Sequence, residues 1–229
     1  MKKHLTFGEY FSRAVLFAVL YLWVGAAQLP MLHIKTSNPL LVNLGWVLVY
    51  FVSYAGLIAV LMNRYRYYHQ APLTKLTSDN MGLVGIAYVI FMAFQVIMLM
   101  LLQVIYHQGQ SENNVVIQKL ATSNSIVLCV MLVGIIILSP IVEELLFRGF
   151  IVDGFFKGSR VIWPMLVSGF IFSSGHLNSN IISFLIYAVM GALLVYLYHR
   201  TGNIKASIAF HILNNLVASF GLIQLFLTK

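Results

Sequence analysis

The sequence predicts an all-α, polytopic membrane bundle of about seven transmembrane helices, forming a single membrane-embedded domain over residues 1–229. Two compositional facts and one pattern carry this expectation. Hydrophobic residues make up 60% of the chain, and only 9% are charged, against roughly 25% in an ordinary soluble domain. The mean hydropathy is +0.89. The apolar residues fall into runs of membrane-crossing length, about 20 residues at 1.5 Å of rise each. So few charges do not cover that much apolar surface in water. The same figures exclude intrinsic disorder, a basic nucleic-acid-binding tail and a secreted disulfide scaffold.

Seven runs are expected to span, at about Ala14–Pro30, Leu40–Met62, Met81–Tyr106, Ile126–Phe147 or beyond, Val161–Leu177, Ile181–Tyr198 and Ile204–Leu227. The first follows Met1-Lys2-Lys3 like a signal peptide, but the further runs behind it make it a retained span. The stretch from Gln108 to Asn124 is the most polar and reads as an outer loop. No internal repeat, low-complexity tract or separate soluble domain stands out.

The net charge of +8 comes from 14 Lys and Arg against 6 Asp and Glu. These cations are scattered between apolar runs, with no basic cluster for a nucleic acid to grip. They read as topology instead. With a cytoplasmic N-terminus, 11 of the 14 (Lys2, Lys3 and Arg13 among them) fall inside, and Lys35, Lys119 and Lys229 fall outside. Cys129, the single cysteine, has no disulfide partner and is expected as buried filler. Tyr65, Tyr67 and Tyr68 beside Arg64 and Arg66 suggest an interfacial aromatic belt. His4, His33, His69, His107 and His199 sit at ends or loops, where interfacial placement accounts for them.

Glu9, Asp79, Glu112 and Asp153 sit at or near loops, whereas Glu143 and Glu144 lie inside the apolar run Ile137–Arg148. A charge in the bilayer core costs at least ~2.5–3.5 kcal/mol, so such residues are expected to have a function. Glu144 and Arg148 are four apart, acid before base, and should pair on one helix face. Glu143 is turned ~100° away from them, and its own i+4 neighbour is Phe147. It is left to face another helix. His176, and His211 with Asn215 four residues on, are the candidates, with Asn214 a weaker one. Taken singly, each His is a hydrogen-bonded residue gluing helices. A Glu, two His and an Asn on three apolar helices point to a reaction centre.

Depth sets a condition on this reading. If the fourth helix ended at Arg148, Glu143 and His176 would stand ~22 Å apart across the bilayer. A helix continuing to about Lys157 brings them level and places Arg148 inside the protein.

Glu143-Glu144-x-x-x-Arg148, Phe172-x-x-x-His176 and His211-x-x-x-Asn215 together resemble the three motifs of the CAAX-prenyl-endoprotease and bacteriocin-processing family, also called CPBP or Abi. The likeness runs from about Ser139 to Val217, so residues 139–217 would carry the catalytic motifs. The resemblance implies an intramembrane endopeptidase. Glu143 would be the general base for water, and His176 would help to hold that water. His211 and Asn215 would donate to the oxyanion, and Glu144 and Arg148 would orient the helix. It implies a peptide or lipidated-peptide substrate among membrane lipids, no nucleic acid, and no cofactor. Zinc held by Glu and His is the competing chemistry. Against it, there is no His-Glu-x-x-His, and Asn215 is a poor zinc ligand. The short chain resembles bacterial members linked to bacteriocin maturation, self-immunity or signalling-peptide processing in the plasma membrane. A non-catalytic membrane partner and a small proton-coupled transporter are the rival functions.

Overall fold

The computed structural model describes residues 6–70, 72 and 74–227. Lys2, Lys3, His4 and Lys229 therefore lie outside the described residues. Among the described residues there is no strand.

Eight helices follow in order: α1 Phe7–Ala26, α2 Leu40–His69, α3 Ser78–Tyr106, α4 Glu112–Ala121, α5 Ser125–Phe155, α6 Ile162–Ser174, α7 Ile181–Thr201 and α8 Ile204–Leu227. Five of these starts are set by side-chain caps that satisfy otherwise orphaned N–H groups. Thr6 and Glu9 form a capping box on α1, and Thr77, Ser111, Asn124 and Asn180 cap α3, α4, α5 and α7. The left-handed residues Gln70, His107 and Gly202 end α2, α3 and α7.

Six of the seven expected spans are long and apolar enough to cross a bilayer, which makes this an integral, multi-pass membrane protein. The fifth, α6, is apolar but has only 13 helical residues. That is ~20 Å of helix against a hydrocarbon core of ~30 Å. The turn into α7, which carries His176, is therefore held deep. The helix α5 runs unbroken to Phe155 and buries Arg148 completely. Glu143 lies ~18 Å from the end of α5, and α6 climbs about as far. The depth condition is met.

Three local expectations are corrected. The polar stretch Gln108–Asn124 is not a bare loop, because it contains the short helix α4. Cys129 is exposed on the outside of α5 rather than buried, since the apolar run surrounding it turns one face to lipid. The aromatic belt reduces to Tyr67; Tyr65 and Tyr68 are buried, packed on Gly149 and Gly154 of α5. Here α2 continues seven residues past Met62, to His69.

This extension also changes the reading of His69 and Asp153. His69 Nδ1 lies 2.9 Å from Asp153 Oδ2, and the Tyr198 hydroxyl donates to the same carboxylate oxygen at 2.5 Å. Lys157 caps the end of α2 by donating to the Tyr68 carbonyl at 2.7 Å. The group ties α2, α5 and α7 together at one end of the bundle.

The α6–α7 pair packs backbone to backbone. A Cβ built on Gly169 would stand 2.6 Å from the Ala188 carbonyl oxygen, and one on Gly191 would stand 2.9 Å from the Gly169 Cα. Small residues permit such an approach between membrane helices. Gly169→Ala is expected to force α6 off α7. It should lower the melting temperature in detergent and the yield of folded protein, whereas Gly45→Ala, which meets nothing within 4 Å, should change neither.

Candidate active site

The site is built on α5, which is not a regular α-helix. Two π-helical stretches, Gly134–Leu138 and Leu145–Val152, flank the segment Ser139–Glu144. Pro140 accounts for the first, because a proline inside a helix has no N–H to give and crowds the preceding turn. In the widened register the Ser139 N–H reaches the Gly134 carbonyl. One step on, Pro140 has nothing to offer the Ile135 carbonyl. Asn215 of α8 takes that place, donating from Nδ2 to Ile135 O at 2.9 Å. The third motif thus completes the backbone of the helix bearing the first.

Glu144 and Arg148 pair as the i, i+4 spacing predicts, with Nη1 3.1 Å from Oε1 and both side chains fully buried. Arg148 also donates from Nη2 to the Gly191 carbonyl of α7 at 2.9 Å. Its guanidinium lies over the rings of Phe147 and Phe172. One cation therefore joins α5, α6 and α7.

The expected division of labour between the two carboxylates needs one correction. Glu144 does more than hold Arg148, since its Oε1 also accepts from His211 Nδ1 at 2.9 Å. The same imidazole turns Nε2 toward Glu143 Oε2 at 3.8 Å. A ring with two nitrogens fits between adjacent carboxylates turned ~100° apart on a helix. Fixing Nδ1 on Glu144 settles the orientation of the ring, as carboxylate partners do for histidines elsewhere. The i, i+4 spacing accounts for Arg148 as the partner of Glu144 and carries no sign of this contact with a distant helix. Glu143 is the less committed of the two, and its Oε2 is buried without a hydrogen-bond partner among the described residues.

His176 is held by its surroundings. Its Nδ1 donates to the Phe172 carbonyl at 2.8 Å, and its ring stacks on Tyr187 at 4.1 Å between centroids. Nε2 is left as its one uncommitted nitrogen. The hydroxyl of Tyr187 in turn meets Ser111 Oγ at 3.1 Å, at the start of α4. The Asn113 N–H donates to the Leu177 carbonyl at 3.2 Å. The polar stretch between α3 and α5 is thus folded over the site.

Glu143, His176, His211 and Asn215 all line one cavity of about 720 Å³, and Asn214 lines it too. Tyr21 of α1, Gln28 just past its end, Gln95 of α3 and residues of α4 complete its wall. Among the described residues no three His, Cys, Asp or Glu side chains converge with the spacing of a metal site. Two of the nitrogens that would ligate are already engaged, His211 Nδ1 by Glu144 and His176 Nδ1 by Phe172.

The fold and this cavity define a class: a membrane-embedded helical bundle with a carboxylate–imidazole centre. Residues 125–217 match the family model described as "Type II CAAX prenyl endopeptidase Rce1-like". The match contains all three motifs and agrees with the family that they resemble. The family implies an intramembrane protease of the CAAX type. Neither the curated proteins nor the solved structures include a match.

Proposed function

We propose that this protein is an intramembrane endopeptidase that hydrolyses a peptide bond with water activated by Glu143, without a metal. The observation that carries the proposal is the buried Glu143 Oε2, unpartnered and 3.8 Å from His211 Nε2 in a cavity shared with His176. That separation is too long for a direct hydrogen bond, and both atoms face the same cavity, where a water and a peptide carbonyl can enter between them and His176. Glu143 takes a proton from the water, whose oxygen attacks the peptide carbonyl carbon. His176 Nε2 holds the water in line. His211, anchored on Glu144, presents Nε2 to the oxyanion, and Asn215 donates its second N–H. Glu143 then passes its proton to the leaving nitrogen as the C–N bond breaks.

The substrate is a bacteriocin, a signalling peptide or another membrane-associated peptide, lipidated or not. The biological setting includes bacteriocin self-immunity as an outcome of such processing. We place the chain in a bacterial plasma membrane with its N-terminus cytoplasmic, from the distribution of its cations. The test is mass spectrometry of secreted and membrane peptides from cells carrying wild type, Glu143→Gln or His211→Ala. A new peptide end present only with wild type is expected. Identical peptide profiles, with biological activity intact, would refute proteolysis. Activity lost to a chelator and restored only by zinc would refute the metal-free mechanism.

A further inference from the structure

The wall supplied by α1 carries one polar group whose place the packing does not explain. Tyr21 lines the cavity together with Glu143, Gly175 and His176. Its ring stands edge-on to Phe147 at 6.3 Å between centroids. Phe147 follows Glu143 by four residues and shares its helix face. The Tyr21 hydroxyl reaches across to the end of α6, beside Gly175. One side chain therefore extends from the helix of the general base to the residue before His176.

Gly175 makes the space for that hydroxyl. A Cβ built on it would stand 2.6 Å from the hydroxyl oxygen of Tyr21, whereas the next atom, the ring Cζ, would be 3.4 Å away. The backbone at Gly175 has φ −80° in the right-handed α region, which any residue adopts. Glycine is needed here for the oxygen of Tyr21 and not for the turn. The hydroxyl gains little from the protein in return. It donates to the Ile171 carbonyl at 3.5 Å, far beyond the ~2.7–2.8 Å of a good O–H···O bond. The hydroxyls of Tyr54, Tyr187 and Tyr198 each have a side-chain partner at 3.1 Å or less. A half-buried phenol in a membrane helix ordinarily finds such a partner too. The O–H of Tyr21 is open to a ligand.

A peptide held for cleavage within the bilayer is locally extended. Its carbonyls have then lost their helical donors where water is scarce, so each needs a donor from the site. His211 and Asn215, both on α8, are taken up by the scissile carbonyl. On the opposite, α1 side, Gln28 already gives its nitrogen to Tyr54 and Ser139. The Tyr21 hydroxyl is the side-chain donor there without a close partner.

Resting on the protease reading, we infer that Tyr21 is a substrate-binding residue of this active site: its hydroxyl, admitted by the gap at Gly175, donates to the main-chain carbonyl of a residue flanking the scissile bond. The contact acts on the peptide before and during the reaction alike, so it governs binding rather than the chemical step. It also gives α1, which lies outside the matched residues 125–217, a direct part in holding the substrate.

The experiment uses the full chain in nanodiscs and a synthetic library of short apolar peptides, with and without a prenylated cysteine. Retention on Glu143→Gln reports binding, and digestion by wild type reports cleavage. The peptide cut fastest, or retained best where none is cut, is carried through the variants. Tyr21→Phe is expected to raise KM about tenfold with kcat within about twofold of wild type, at unchanged melting temperature. Placed on Glu143→Gln, it should weaken retention by the same factor. Gly175→Ala should act alike, by displacing the hydroxyl, and should add nothing to Tyr21→Phe, which has no oxygen to displace. Tyr21→Phe with the KM and retention of its parent, a loss in kcat alone, a loss that tracks a falling melting temperature, additive effects of the two variants, or no retained peptide would each overturn the contact. Retention weakened by Tyr21→Phe with no peptide ever cut would leave the contact standing and remove the protease reading. Cutting abolished by Glu143→Gln and untouched by Tyr21→Phe would do the reverse.

Discussion

Glu143→Gln is expected to lower peptide hydrolysis about 10³-fold while leaving the fold intact. The amide keeps the size of the carboxylate but has no basic lone pair to take the proton from water. Stability should hold, because Glu143 Oε2 has no hydrogen-bond partner to lose and the side chain takes no part in the Glu144–Arg148 pair. The measurement pairs turnover of a cleaved peptide in proteoliposomes with thermal unfolding in detergent. An unchanged melting temperature with turnover near wild type would dismiss Glu143 as the base. A fall in both would assign it a structural role.

The largest effect on stability is expected at Arg148. Arg148→Met leaves the fully buried Glu144 without its cation, and such a loss destabilises by about 3–5 kcal/mol. The Gly191 carbonyl loses its donor as well, so α7 should loosen from α5. Adding Glu144→Gln removes the stranded charge and should restore part of the melting temperature. It should not restore activity, because the anchor of His211 Nδ1 is altered in the same step. If the double variant were no more stable than Arg148→Met alone, the loss would come from packing around the guanidinium rather than from the unpaired acid.

The two variants separate what the neighbouring acids do. Glu143 faces the cavity and the chemistry, while Glu144 faces the structure and reaches the chemistry through His211. The i, i+4 rule made the Glu144–Arg148 pair legible, since both partners lie on one helix. The Glu144–His211 contact spans 67 positions, and no local spacing encodes it. The same holds for the bond from Asn215 to Ile135. Pro140 signals that a backbone carbonyl will be orphaned, but which side chain answers depends on where α8 docks. His69 and Asp153 were unremarkable in the sequence for a similar reason. Each lies near the end of its own helix, and only the packing of α2 against α5 and α7 brings them within 2.9 Å.

What the sequence determined by itself is the class of the molecule and the inventory of its centre. Hydropathy is a sum over neighbours along the chain, so the spans could be read directly. Ionisable residues inside those spans stand out because lipid makes them costly. The depth argument followed from helical rise alone, and α5 does continue to Phe155. The tertiary structure alone decided which atoms of Glu143, Glu144, His176, His211 and Asn215 meet, that α6 stops short, and that α4 covers the cavity. Those outcomes depend on distances between helices far apart in the chain. Such distances come from packing constraints like Gly169 against Gly191, which no periodicity along the chain records.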